Sequence, residues 1–233
     1  MKSSVVFFGL LFCHLACSAC VPIKDRHDDD GSDGSAGVLG IDVSSLVTQQ
    51  QFENLVAVKN FKYLIVRAFR SLGAVDTNAP VTIRNARAAG ISDIDVYLFP
   101  KPGRGDPETQ VTDTIDYLAA QGTEFGTLWI DVEPLNWFSN KTENQKFFTA
   151  MFIKAKSLHQ TGVYTSIRNW GLIMGEDFTG GSSAPLWYPR YESNPNPSFS
   201  DFTPFGGWST PAMKQFTNSE TIAGATVDQN WRP

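Results

Sequence analysis

The sequence predicts an α/β fold, a TIM-like closed barrel of eight strands whose covering helices shrink or disappear toward the C-terminus. Three observations carry this reading. Short β-prone apolar runs recur from Val38 to Asn230, helix-like stretches separate the first ones, and no long spacer breaks the alternation. The rival is an open doubly wound sheet, but no glycine-rich phosphate loop follows the first run.

The elements follow in order. VLGIDVS (38–44) reads as a buried strand and is followed by a helix over Gln49–Lys59. KYLIVRAF (62–69) is the second strand, and VTIRNARAAG (81–90) is a helix closed by Gly90, since glycine takes the left-handed conformation that ends helices. DIDVYLFP (93–100) precedes a helix near Glu108–Gln121, and GTLWIDVEP (126–134) precedes one over Glu143–His159. GVYTS (162–166), APLWYP (184–189), AMKQFT (212–217) and ATVDQN (225–230) supply four more strands, with little helix between them.

The first twenty residues have a different character. Lys2 is their one cation, Val5–Phe12 is apolar, and Ala16–Ala19 are small, which is the layout of a secretory signal peptide over residues 1–20. The apolar run is well short of the roughly 20 residues that span a bilayer. Cleavage after Ser18 or after Cys20 fits the small residues, and lipid attachment at Cys20 is disfavoured by Cys17 three positions before it. Residues 21–37 are polar, acidic and rich in Gly and Ser, so a flexible linker is expected there, with Asp28, Asp29 and Asp30 as solvated charge. Residues 38–233 then form one domain, large enough for a core that needs no staples.

Cysteine and charge exclude several functions. Cys13, Cys17 and Cys20 all lie in the leader, so neither an internal disulfide nor a cysteine metal site is expected. His14, His27 and His159 are scattered, and no metal or cofactor is expected. Without Lys2 the 19 cations fall to 18 against 24 anions, a net charge of −6. With no basic stripe, nucleic acid and acidic membranes are poor partners, and a secreted or extracellular monomer is expected.

In a barrel of this kind the reacting groups sit at the C-terminal ends of strands. Asp42 lies near the end of the first strand, Asp131 and Glu133 at the end of the fourth, and Asp228 near the end of the eighth. Asp131 and Glu133 are two residues apart, so in a strand they face the same way, about 6.6 Å apart. Glycosidic hydrolysis needs an acid for the leaving oxygen and a second group for the developing oxocarbenium ion. A bare D-x-E motif is weak, and solvated acids at a strand end would explain it equally well. Its flanks, LWI and PLNWF, favour chemistry, because acids among apolar neighbours incur a desolvation cost. Aromatic rings can be core or can pack on sugar C–H faces. Trp129 is assigned to the core, whereas Tyr97 and Phe99 share a strand face and are candidates for lining the site.

Five motifs in order, GIDVSS (40–45), WIDVEP (129–134), GVYTS (162–166), PLWYPRY (185–191) and VDQNW (227–231), resemble glycoside hydrolase family 25, the Chalaropsis-type lysozymes, in their nematode and other invertebrate branch. The resemblance covers about residues 38–231. It implies a flattened (β/α)5(β)3 barrel that cleaves the β-1,4 bond between N-acetylmuramic acid and N-acetylglucosamine in peptidoglycan glycan strands. Glu133 matches the general acid, Asp131 the neighbouring carboxylate, and Asp42 and Asp228 the aspartates of the first and last strands. Tyr97 and Phe99 match a Tyr-His-Phe motif in which Leu98 replaces histidine. Tyr164, Tyr191 and Gln215 fall on substrate-binding positions, with Phe216 where bacterial members carry tyrosine. SSLVTQQQF follows Asp42 where many bacterial members have a tryptophan loop.

From strand geometry and this resemblance, Glu133 is expected to be the proton donor at the rim. Asp131 is expected to stay ionised deeper along the strand, supported by Asp42, Asp228 or Asn230. Asn140 in Asn140-Lys141-Thr142 is a candidate glycosylation site. A silent sugar-binding protein and a chitin-directed glycosidase are the competing functions, and lytic and chitin-oligomer assays separate them from a muramidase of defence or digestion.

Overall fold

The computed structural model describes residues 37–233; the expected signal peptide, its cleavage positions and residues 21–36 of the expected linker lie outside the described residues. The chain follows the order β1 (Val38–Val43), α1 (Gln49–Lys59), β2 (Tyr63–Arg70), β3 (Ala74–Val75), α2 (Ala79–Ala88), β4 (Asp93–Leu98), α3 (Pro107–Ala120) and β5 (Leu128–Asp131). It continues through α4 (Lys141–Leu158), β6 (Thr161–Tyr164), α5 (Ile167–Ile173), β7 (Leu186–Pro189), β8 (Met213–Gln215), β9 (Glu220–Ile222) and β10 (Ala225–Arg232). β1, β2, β4, β5, β6, β7 and β8 run parallel in that spatial order, and β10 closes the ring by pairing antiparallel with both β8 and β1. Five strand–helix units precede three bare barrel strands, as expected.

The helices begin where side chains replace missing backbone partners. Thr48 and Gln51 form a capping box at α1, the Asp106 carboxylate accepts the Thr109 N–H at 2.7 Å before Pro107 opens α3, and Asn140 accepts the Thr142 N–H at 2.8 Å at α4. Such caps typically contribute about 1 kcal/mol each.

Strand alternation divides the core into two layers. Ile41, Val66, Val96, Ile130, Val163 and Leu186 point out against the helices, and Tyr63, Ile65, Trp129, Tyr164, Trp187 and Met213 point into the barrel. These rings meet edge to face, Trp129 on Trp187 at 5.8 Å and Tyr164 on Trp187 at 4.5 Å between centroids. Rings this large need gaps on neighbouring strands. A Cβ on Gly40 would come within 2.4 Å of the Tyr63 ring, and one on Gly162 within 2.3 Å of Trp129. Trp129 is therefore core.

One expectation needs correction. Asp228 does not end its strand; it is the fourth residue of β10, opposite Asp42 of β1. It reaches the catalytic end because β10 runs backwards through the barrel. Only residues 216–224 link β8 to β10, and a parallel crossover needs a dozen or more.

Candidate active site

Asp42 and Asp131 lie within the last two residues of β1 and β5 and point inward, which buries both. Glu133 lies two residues beyond β5 instead of inside it, yet its backbone is fixed. The Val132 N–H donates to the Tyr164 carbonyl at 2.8 Å, the Thr165 hydroxyl donates to the Val132 carbonyl at 2.9 Å, and the Leu135 N–H donates to the Glu133 carbonyl at 2.7 Å. The ladder thus carries the strand's direction past its formal end. Asp42, Asp131, Glu133 and Asp228 line one cavity of about 180 Å³. Tyr97, Phe99, Tyr164 and Trp187 contribute to its walls and floor.

The carboxylates differ in their partners. Asp42 Oδ2 accepts from Gln215 Nε2 at 2.6 Å and from Asn230 Nδ2 at 2.7 Å, while Trp187 Nε1 holds Asn230 by donating to its Oδ1 at 2.7 Å. Asp228 accepts from Gln215 Nε2 at 3.2 Å and from the Ser219 N–H. No hydrogen bond reaches the buried Oδ1 of Asp131. Asn230, one of the supports expected for Asp131, is committed to Asp42.

These surroundings set the protonation. Burial pushes the Asp131 carboxyl well above the usual range, and the nearby charges of Glu133 and Asp42 add to that. Burial works against the charge that Asp131 is expected to carry, because depth removes water without supplying donors. Burial and then Asp228 also raise Glu133, as a proton donor requires. Burial followed by Asp228 raises Asp42 despite its two amide donors. Burial raises Asp228, partly offset by the Ser219 N–H and by a hydrogen bond with Asp42. Crowded carboxylates of this kind share protons as a group.

Gln215, expected to bind substrate, lines the cavity, and both ends of its buried amide are engaged within the protein. Its NH2 serves Asp42 and Asp228, which can only accept when ionised, and its Oε1 accepts the Tyr164 hydroxyl at 2.7 Å and the Tyr191 hydroxyl. Gln215 positions the acids and the two tyrosines. Tyr191 sits half-exposed at the rim, and burial raises both tyrosines so that they remain donors. Asn140 is exposed at the start of α4, away from the residues that line the cavity.

Sequence reasoning missed Arg67, Ser44 and Ser71, which also line the cavity. Arg67 Nε pairs with Asp76 at 2.9 Å, and its Nη2 donates to the Ser44 carbonyl at 2.5 Å, so its charge is largely answered. A signal existed: Arg67 is the one charge inside the apolar run YLIVRAF and shares inward parity with Tyr63 and Ile65.

A barrel that holds an acid of raised pKa beside a second carboxylate, above an aromatic floor, has the equipment of a glycoside hydrolase. Comparison with known proteins agrees. Residues 34–216 match the family described as Lysozyme-like protein 1. A probable GH family 25 lysozyme 2 of Dictyostelium discoideum is 42% identical over 200 residues, covering 85% of this chain and 92% of that protein. Lysozyme-like protein 5 of Caenorhabditis elegans is 40% identical over 205 residues, covering 85% and 93%. The solved family GH25 lysozyme of Aspergillus fumigatus shares the fold with a TM-score of 0.65 at 18% identity, over 84% of this chain and 94% of that one. The chain belongs to the glycoside hydrolase family 25 lysozymes and is a glycoside hydrolase.

Proposed function

We propose that this hydrolase is a secreted muramidase that cleaves the β-1,4 bond between N-acetylmuramic acid and N-acetylglucosamine in bacterial peptidoglycan, acting in antibacterial defence or digestion as a monomer. The observation that carries the proposal is the pairing of Glu133, raised and at the rim, with Asp131, buried and without a donor on Oδ1. Glu133 protonates the leaving oxygen. Asp131 offers its open acceptor to the substrate, where an acetamido N–H at the cleaved sugar is a fitting donor; accepting it would help the acetamido oxygen attack the anomeric carbon. Tyr97, Phe99, Tyr164 and Tyr191 bind the glycan, and Asn140, exposed beside α4, carries N-linked sugar when the chain passes through a eukaryotic secretory route. Lysozyme names among the relatives support the substrate assignment.

Product analysis of purified peptidoglycan tests it. Muropeptides with N-acetylmuramic acid at the new reducing end are expected; N-acetylglucosamine ends, or cleavage of chitin oligomers alone, would overturn the muramidase reading. Mass spectrometry of secreted protein reads leader removal and Asn140 occupancy together.

A further inference from the structure

Glu133 belongs to two cavities. The first is the acidic pocket described above. The second, of about 350 Å³, opens on the other side of Glu133 and carries Arg168, Asn169, Arg190 and Tyr191 on its walls. The balance of charge shifts across one side chain: four carboxylates and the ion-paired Arg67 line one cavity, whereas Arg168 and Arg190 line the other with Glu133 as its one acid. Arg168 is exposed and makes no ion pair among the described residues. Arg190 leans on Glu192 at 3.6 Å and Asp201 at 3.8 Å, too long for hydrogen bonds, and half of its side chain stays exposed.

The wall that carries Arg190 is anchored. Lys214, fully buried on the outer face of β8, pairs with Asp201 at 2.7 Å, and the Arg190 N–H donates to the Gln215 carbonyl at 2.9 Å. The segment after β7 is thereby tied to the strand that carries Gln215. Arg168 stands opposite on α5, whose Ser166 cap accepts the Asn169 N–H at 3.1 Å. Both cations sit on fixed backbone beside the proposed acid.

We infer that this second cavity is a subsite for a carboxylate carried on the glycan, with Arg168 as its principal ligand and Arg190 as its second. The inference rests on the muramidase reading and sharpens it. Guanidinium groups match carboxylates in charge and geometry, and an open cation next to a cluster of acids is placed to separate anionic from neutral glycans. The carboxylate has two sources, the stem peptide or the free lactyl ether of a muramyl residue whose peptide has been removed. Neutral chitin offers neither.

The test uses Glu133→Gln protein, whose turnover is expected to be strongly reduced, and measures binding of three soluble fragments: peptide-bearing muramyl oligomers, the same oligomers stripped of peptide, and chitotetraose. Adding Arg168→Gln is expected to weaken carboxylate-bearing fragments about tenfold and chitotetraose less than twofold. Arg168→Lys is expected to recover part of the loss, and the effect should shrink as salt rises, which a purely structural role would not produce. Loss confined to peptide-bearing fragments names the stem peptide as the source; loss confined to stripped fragments names the lactyl carboxylate, which the peptide-bearing fragments hold as an amide, and loss on both shows that the subsite takes either carboxylate. Equal weakening of all three, or of none, overturns the subsite while leaving the muramidase reading intact. If no fragment binds, both fall.

Discussion

The two ends of the barrel both bury polar groups, yet they treat their carboxylates in opposite ways. At the N-terminal end the acids have partners, though the buried Tyr63 hydroxyl has none. Asp95 accepts the Thr127 N–H at 2.7 Å and the Trp129 indole N–H at 2.9 Å, and Arg232 pairs with Asp93 while lying 4.3 Å from the centre of the Tyr63 ring. At the C-terminal end four carboxylates crowd one cavity, are all raised by burial and leave a buried oxygen of Asp131 without a donor. Satisfied burial stabilises a fold, and unsatisfied burial is kept where a substrate supplies the missing partner. Substitutions at the two ends should therefore fail differently.

The largest effect is expected from Glu133→Gln, which keeps shape and removes the transferable proton. Turnover on peptidoglycan should fall about 10² to 10⁴-fold with binding and melting temperature retained; near wild-type lysis would move the search to Asp42 and Asp228. Asp131→Asn should follow with a loss of about 10²-fold in kcat. Its melting temperature should hold or rise, because a buried carboxyl without donors costs the fold. A kcat loss matched by a collapse in melting temperature would make Asp131 a structural residue.

At the other end Asp95→Ala should reverse the pattern. It strands the Thr127 and Trp129 donors and should cost about 1 to 3 kcal/mol, read by denaturant or thermal unfolding, while kcat at a temperature where the variant is folded stays within about twofold. A large kcat loss in folded protein would erase the distinction between the ends.

The smallest effect is the dependence of stability on pH. Asp42, Asp131, Glu133 and Asp228 all have carboxyls raised by folding. The folded chain then binds more protons than the unfolded one, so the contribution is complete below the unfolded carboxylate range near pH 4 and is lost as pH rises through the raised values. Melting temperature should fall from mildly acidic toward neutral pH, less steeply in Asp42→Asn. An equal slope in both proteins would show that Asp42 does not hold its proton into that window.

Local sequence determined more of this protein than its site shows at first sight. Eight apolar runs became the eight barrel strands, and the four helices read from periodicity and caps agree within two residues at each end, because strand alternation, helix periodicity and capping are properties of neighbouring residues. Asp131 and Glu133 share a cavity for the same local reason. Other features exist only across strands distant in sequence. The short link before Ala225 makes β10 antiparallel and sets Asp228 opposite Asp42. Gln215 brackets two acids and two tyrosines, and Arg67 enters the cavity already paired with Asp76. Protonation was decided last, by tertiary structure alone. A carboxyl's pKa depends on the water it loses and the donors it meets, and both come from chain segments that meet only when the barrel closes.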